Sequence, residues 1–320
     1  MLLNISIGAV AIPLKEVCLS IFGSGATKSS WEYIIMDYRL PKAIVAILVG
    51  MGLAISGLLM QTLFRNPLAG PYVLGLSSGA SLGVALVILG SAFLPAFASE
   101  FILSSYGIVL ASSLGSFLVL LAVLAVAQRL RDTMAILIVG LMFGSLTNAL
   151  VGTLTYFSTA EQLQKFTFWS LGTLGNLSWT SITILSVCVA VGLILSLVSI
   201  KPLNSLLLGE NYATNLGINF YKNRFYLILI SSALTGLTTA FCGPIAFIGI
   251  AIPIVSRLIF KTSKQQVHLF SCILIGSSTL LISDAISNSI FNSISLPINI
   301  ITTFIGAPLV IYLMFKTKHW

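Results

Sequence analysis

Charge is what this sequence has least of: 8% of its 320 residues are Asp, Glu, Lys or Arg, against roughly 25% in soluble domains. That shortage excludes a solvated globular surface. Histidine occurs twice, as His268 and His319, and two separate histidines do not make a histidine-built metal site. The four cysteines (Cys18, Cys188, Cys242, Cys272) lack CxxC spacing and fall mostly in apolar runs, where a thiol acts as a small hydrophobe. No Gly/Ser linker, charge block or low-complexity stretch divides the chain, so residues 1–320 read as one domain. A nucleophile with a base at workable spacing is also missing, and no enzyme is expected. The segment "FGSGATKSS" at 22–30 imitates a phosphate-binding loop, but Phe22 and Thr27 stand where that motif needs glycine.

What the sequence does have is apolar length. Hydrophobic residues make up 57% of it, and the mean hydropathy is +1.06. About 20 apolar residues cross a bilayer as a helix, the form that satisfies its own backbone groups. Nine such stretches occur, near 43–63, 74–94, 103–127, 134–157, 180–200, 223–242, 245–260, 269–286 and 298–315. The seventh is short and carries Pro253. Lys and Arg near span ends stay in the cytoplasm, and placing the 64–73 joint inside puts eleven of the 16 basic residues there. The net charge of +8 is then a topology signal that needs no nucleic acid. Residues 1–42 fall outside on this assignment, and "MLLNISIGAVAIPLKEV" is too short and too broken to span. Two readings follow, a first helix lost by a late start or a translocated tail, and the first is favoured.

Glycines at 75, 79 and 83, and at 140 and 144, are spaced for close helix packing. Three segments do not span. Residues 158–178 have the mixture of an interfacial helix. Residues 201–222 read as two short helices divided near Gly209 and stopped by Gly217, and 257–268 form a second inside segment; each is either a connection or a docking site. Within the spans the one carboxylate is Asp284, either functional or a helix-end group reaching water. Neutral polar groups remain: Ser56, Gln61, Thr147, Asn148, Asn288 and Asn292. A path lined by these suits a large or charge-masked substrate better than a bare ion.

Four ordered stretches carry a resemblance. They are "RLPKAIVAILVGMGLAISGLLMQTLFRNPLAGPYVLGLSSGA" from Arg39 to Ala80, "LLLGENYATNLGI" at 206–218, "GPIAFIGIAIPIVSRL" at 243–258 and "LPINIITTFIGAPLVIYLM" at 296–314. From about Ser6 to Phe315 the chain resembles the FecCD-type permeases, which serve iron-siderophore, haem and vitamin B12 uptake in binding-protein-dependent ABC importers. The resemblance implies an all-α, polytopic membrane helix bundle of the type II ABC importer permease fold. That family has ten helices, the first of which is missing or clipped here. It also implies a dimer of identical or related permeases, two cytoplasmic ATP-binding subunits, a periplasmic or lipid-anchored binding protein, and a bacterial inner-membrane location. ATP is used by the partner subunits, and no cofactor, metal or nucleotide is expected in this one.

Site residues follow by the same route. Receptor docking maps to Arg39 and Lys42, the latter a lysine where arginine is commoner, and a third basic position of some members is Asn288 here. The ATPase-coupling helices map to 203–219, with Leu208, Gly209, Glu210 and Gly217. Arg257 marks a second inner contact, although Ile254 stands where the family commonly has histidine. The inner gate falls near Thr133 and Met134. The joint of Arg65, Asn66, Pro67 and Pro71 stops one helix and re-enters the bundle, because proline lacks an amide donor and restricts its predecessor. It is read equally as a plain turn or as support for the inner pathway and the ATPase contact. An iron-siderophore importer is expected, with haem or vitamin B12 the near alternatives. A gradient-driven transporter and a non-transporting scaffold are the more distant ones.

Overall fold

The computed structural model describes residues 1–8, 10–23, 25–93, 103–130, 133–175, 177–207, 219–290 and 295–316. Two short helices, α1 (Leu2–Ser6) and α2 (Leu14–Ile21), open the chain. Helix α3 (Ser29–Tyr33) runs through a wider π-type stretch, Ile34–Arg39, into α4 (Leu40–Phe64). A single turn at Pro71–Leu74 then leads to α5 (Leu76–Ile88). Next come α6 (Ser105–Ala127), α7 (Thr133–Tyr156), α8 (Ala160–Ser170), α9 (Trp179–Val198) and α10 (Ile200–Leu207). The bundle closes with α11 (Phe220–Cys242), α12 (Ile248–Phe260), α13 (Gln265–Ser289) and α14 (Ile298–Lys316).

Every one of the nine apolar stretches contains a helix, and among the described residues six helices are long and apolar enough to cross a membrane. The first is longer than its apolar run. Helix continues unbroken from Ser29 to Phe64, 36 residues, about 54 Å at 1.5 Å per residue. This mast is the core of the bundle. Along α4 nearly every residue from Gly52 to Phe64 is buried, because α9, α11, α12 and α13 surround it. Both α11 and α13 run antiparallel to it. Ser56 meets Ser231 and Thr235, and Lys42, Ile47 and Gly50 meet Asp284, Ser277 and Gly276.

Small residues set the helix spacing. A methyl on Gly57 would overlap the Gly249 carbonyl, and one on Gly50 would meet that of Gly276. Gly79 and Gly83 face α6 in the same way, while Gly75 lies against Gly140 of α7. In lipid, where burial of apolar side chains gains little, such approaches supply dispersion energy and Cα–H···O contacts.

Two of the α-helices in apolar stretches are short. At 13 residues each, α5 and α12 reach about 20 Å, against a hydrocarbon core of about 30 Å, and α5 is prolonged by a tighter 3₁₀ stretch, Leu89–Phe93. Each is preceded by a break in α-helix, at 65–75, which holds the single 3₁₀ turn Pro71–Leu74, and at 243–247, and these two breaks meet inside the bundle. The Tyr72 hydroxyl accepts from Ile245 N at 3.2 Å, Asn299 Oδ1 accepts from Ala246 N at 3.0 Å, and Thr173 N donates to Cys242 O at 2.8 Å. Irregular backbone at membrane depth is tolerated where protein satisfies it. The seventh stretch therefore starts as a helix at Ile248, not 245. The expected inside segment 257–268 is mostly helical too, with only 261–264 outside α12 and α13.

Candidate functional site

At the Lys42 end of the bundle, Lys42 Nζ lies 2.7 Å from Asp284 Oδ1 and donates to Asn288 Oδ1 at 3.0 Å. Asn4 Nδ2 donates to Asp284 Oδ2 at 3.0 Å and to Leu281 O at 3.0 Å, and Asn288 Nδ2 donates to Asp284 Oδ2 at 3.3 Å. The Asp284 side chain is 4% exposed and that of Lys42 24%. Asp284 is therefore not a helix-end group reaching water. It is a buried carboxylate, paired with one cation and two amide donors, that joins α1, α4 and α13. Arg39 also turns inward, donating to the carbonyls of Ile5 (2.7 Å), Ser6 (3.2 Å) and Val10 (2.5 Å). Both residues assigned to receptor docking thus hold the N-terminal segment and α13 in place. A cavity of about 360 Å³ opens beside the pair, lined among others by Lys42, Asp284, Trp169 and Thr173.

In the "FGSGATKSS" segment Thr27 is taken up by Glu16. The Glu16 carboxylate accepts from Thr27 N at 2.8 Å and from its hydroxyl at 2.7 Å. These bonds hold its pKa below the usual carboxylate value.

At the Arg65 end, α4 stops because Arg65 adopts a left-handed backbone (φ 47°, ψ 36°). Asn66 makes the next turn, its side chain accepting from Leu68 N at 2.9 Å, and the chain then climbs back into the bundle. Pro71, buried, heads the turn before α5 and lies against Gly249. Pro67 sits at the rim, between Asn66 and the buried Ala69 and Gly70.

Arg65 Nε and Nη2 donate to Leu206 O at 3.1 and 2.6 Å. One turn earlier, buried Gln61 donates to Ile250 O at 2.9 Å and accepts from Arg257 Nη1 at 3.0 Å. Beside them His268 is also buried, with Nδ1 2.9 Å from Ser256 Oγ and Nε2 donating to Thr262 O at 2.6 Å. Ser256 in turn contacts Ser271. Arg224 Nη2 donates to Leu130 O at 3.1 Å, ahead of α7. The last turn of α4 thus ties α12 through Gln61 and Arg257, and α10 through Arg65, links that spacing does not reveal.

Leu208, Gly209, Glu210 and Gly217 lie outside the described residues, as does Asn292. Thr133 begins α7, and Met134 beside it is 46% exposed. The remaining neutral groups divide by surroundings. Ser56 bonds to Ser231 and Thr235, and Thr147 bonds back to Phe143 O and Gly144 O within its own helix. Asn148 is exposed on α7, whose apolar window is the least buried of the six long spans. Gln61 and His268 were missed as tying groups: a lone polar residue in an apolar helix does not name its partner.

The FecCD transport family profile matches residues 1–316 of this chain. The chain belongs to that family. Among curated relatives of this FecCD permease, it is 30% identical over 320 residues to the hemin transport system permease protein HmuU of Yersinia pestis. That match covers 100% of this chain and 94% of that protein. It is 34% identical over 312 residues to the vitamin B12 import system permease protein BtuC of Vibrio parahaemolyticus, covering 97% and 91%. Among solved structures, a metal-chelate type ABC transporter in an inward-facing conformation superposes with a TM-score of 0.85 at 29% identity, covering 98% and 94%. The helical FecCD fold and its multi-pass membrane nature are thereby established.

Proposed function

We propose that this FecCD permease is the membrane-spanning subunit of an ATP-driven importer that carries an iron-siderophore complex across the bacterial inner membrane by alternating access. Haem and vitamin B12 are the alternatives favoured by the names of its relatives. All three are large chelates that present a masked charge, which suits a path lined by neutral groups. On this reading the Arg65 end faces the cytoplasm and two ATP-binding subunits, and the Lys42 end faces a soluble or lipid-anchored binding protein. A second permease copy covers the open faces of α7 and α14.

One observation carries the choice against a gradient-driven transporter. Such a transporter predicts intramembrane carboxylates or basic residues that titrate or bind sodium, and the carboxylate within the spans, Asp284, is already paired with Lys42, Asn4 and Asn288. That pairing favours work supplied by another polypeptide.

The test is uptake by vesicles holding this subunit, its ATPase and its receptor, comparing a labelled ferric siderophore with haem and vitamin B12. ATP-dependent accumulation of one ligand is expected. Uptake that ignores ATP and follows an imposed proton or sodium gradient would overturn the proposal.

A further inference from the structure

We infer that Arg65 is a positioning residue for ATP-coupled transport, whose guanidinium ties α10, at Leu206, to the last turn of α4 so that the two move together. The inference rests on the reading above, in which ATPase subunits meet the Arg65 end.

Backbone and side chain point the same way. The left-handed conformation that ends α4 is disfavoured for any residue with a Cβ, and helix ends of this kind usually take glycine. Arginine stands there instead, at φ 47°. Strained positions of this kind persist where the surroundings hold them, and they cluster at working sites. Here the turn sends the side chain to α10, where two N–H groups of one planar cation meet a single carbonyl, Leu206 O. Leu206 lies on α10, and its carbonyl takes both bonds from one cation. Two charge-assisted bonds from a rigid fork set orientation as well as distance, which a lysine does not do.

Helix α10 is tied a second time. Asn204 Oδ1 accepts from Gln265 N, the first residue of α13, at 3.1 Å. One turn before Arg65, Gln61 holds α12 through Ile250 O and Arg257. The last turn of α4 therefore joins two inner elements to the mast, and the mast meets α13 again at Gly50 and Gly276 and at Lys42 and Asp284. A rigid-body displacement at the inner face is delivered through these ties to the far end of the bundle.

The experiment uses the complete complex of permease, ATPase and receptor in vesicles, loaded in turn with the ferric siderophore, haem and vitamin B12. It compares Arg65→Gln, Arg65→Lys and Arg65→Gly. Uptake per ATP hydrolysed should fall ten-fold or more in Arg65→Gln while the ATPase subunits still copurify, with Arg65→Lys falling less. Arg65→Gly relieves the backbone, so it should unfold no earlier than wild type and yet be as uncoupled as Arg65→Gln. Wild-type coupling in the Gln and Gly variants would overturn the inference. So would loss of the ATPase subunits from them, since Arg65 would then be the contact itself. A wild-type complex without ATP-dependent uptake would overturn the underlying reading and the inference with it.

Discussion

Asp284 shows what a single carboxylate does in a membrane bundle. Removing one partner of a buried ion pair costs about 3–5 kcal/mol, because the other charge is left unpaired, while replacing both by apolar groups is often neutral. Lys42 keeps some contact with water, so Asp284→Leu should cost less, roughly 2–3 kcal/mol. The double variant Lys42→Met/Asp284→Leu should recover at least half of that in thermal unfolding in detergent. An additive double variant would mean that the pair is not coupled. The same double variant tests docking: if Lys42 also serves the receptor, the protein stays folded but binds receptor more weakly at low salt. At Gly57 the outcome is simpler. Gly57→Ala drives a methyl into the Gly249 carbonyl, backbone against backbone, and overpacking of this kind costs about 3 kcal/mol or more. Folded yield should collapse, whereas Gly152→Ala, where added atoms meet nothing within 4 Å, should leave yield unchanged. Glu16 supplies a pH dependence of known sign. Its pKa is lowered from 4.5 by the Thr27 bonds, so their contribution is full above that value and fades as pH falls through the lowered one. Proteolysis between Phe22 and Thr27 should quicken only in that acid range; Thr27→Ala, which keeps the backbone donor, should weaken the pH dependence, and Glu16→Ala should remove it.

Among the elements, α8 owes its start to a capping box: Thr159 accepts from Gln162 N, and the Gln162 side chain accepts from Thr159 N. Such a cap is worth about 1 kcal/mol, or about five-fold in an equilibrium. Thr159→Ala should therefore speed hydrogen exchange of the α8 amides by about that factor and leave the α4 amides untouched. Exchange that quickens throughout the bundle would show that α8 does not open by itself. The two short helices obey a different rule. Apolar length marked α5 and α12 as spans, but Pro71, Gly75 and Gly243 break each one inside the bundle. Ahead of α12, Tyr72 and Asn299 satisfy the freed amides of Ile245 and Ala246. Hydropathy sees the run and not the break, since the partners that make a break tolerable are far away in sequence.

For the molecule as a whole, orientation is open to direct test. With Cys18 replaced by Ser, an impermeant thiol reagent on intact cells should label Lys28→Cys and should reach Lys222→Cys only after the membrane is opened. The opposite pattern would invert the bundle and move the proposed ATPase face. Fold class, the order of spans and the joint at 64–71 were legible beforehand, because each depends on local properties: apolar length, prolines and the side on which basic residues gather. The two ends were legible only as positions. Arg39 and Lys42 stood out as outer cations, yet their partners, Ile5 O and Asp284, come from the opposite ends of the chain. Arg65 and Arg257 stood out as inner cations, but Gln61, the partner of Arg257, looked like one neutral polar group among several. A membrane protein writes its spans into sequence because the bilayer tests each segment alone. Which polar group completes which helix end is decided only by packing, when segments hundreds of residues apart meet in a medium that leaves no water to take the partner's place.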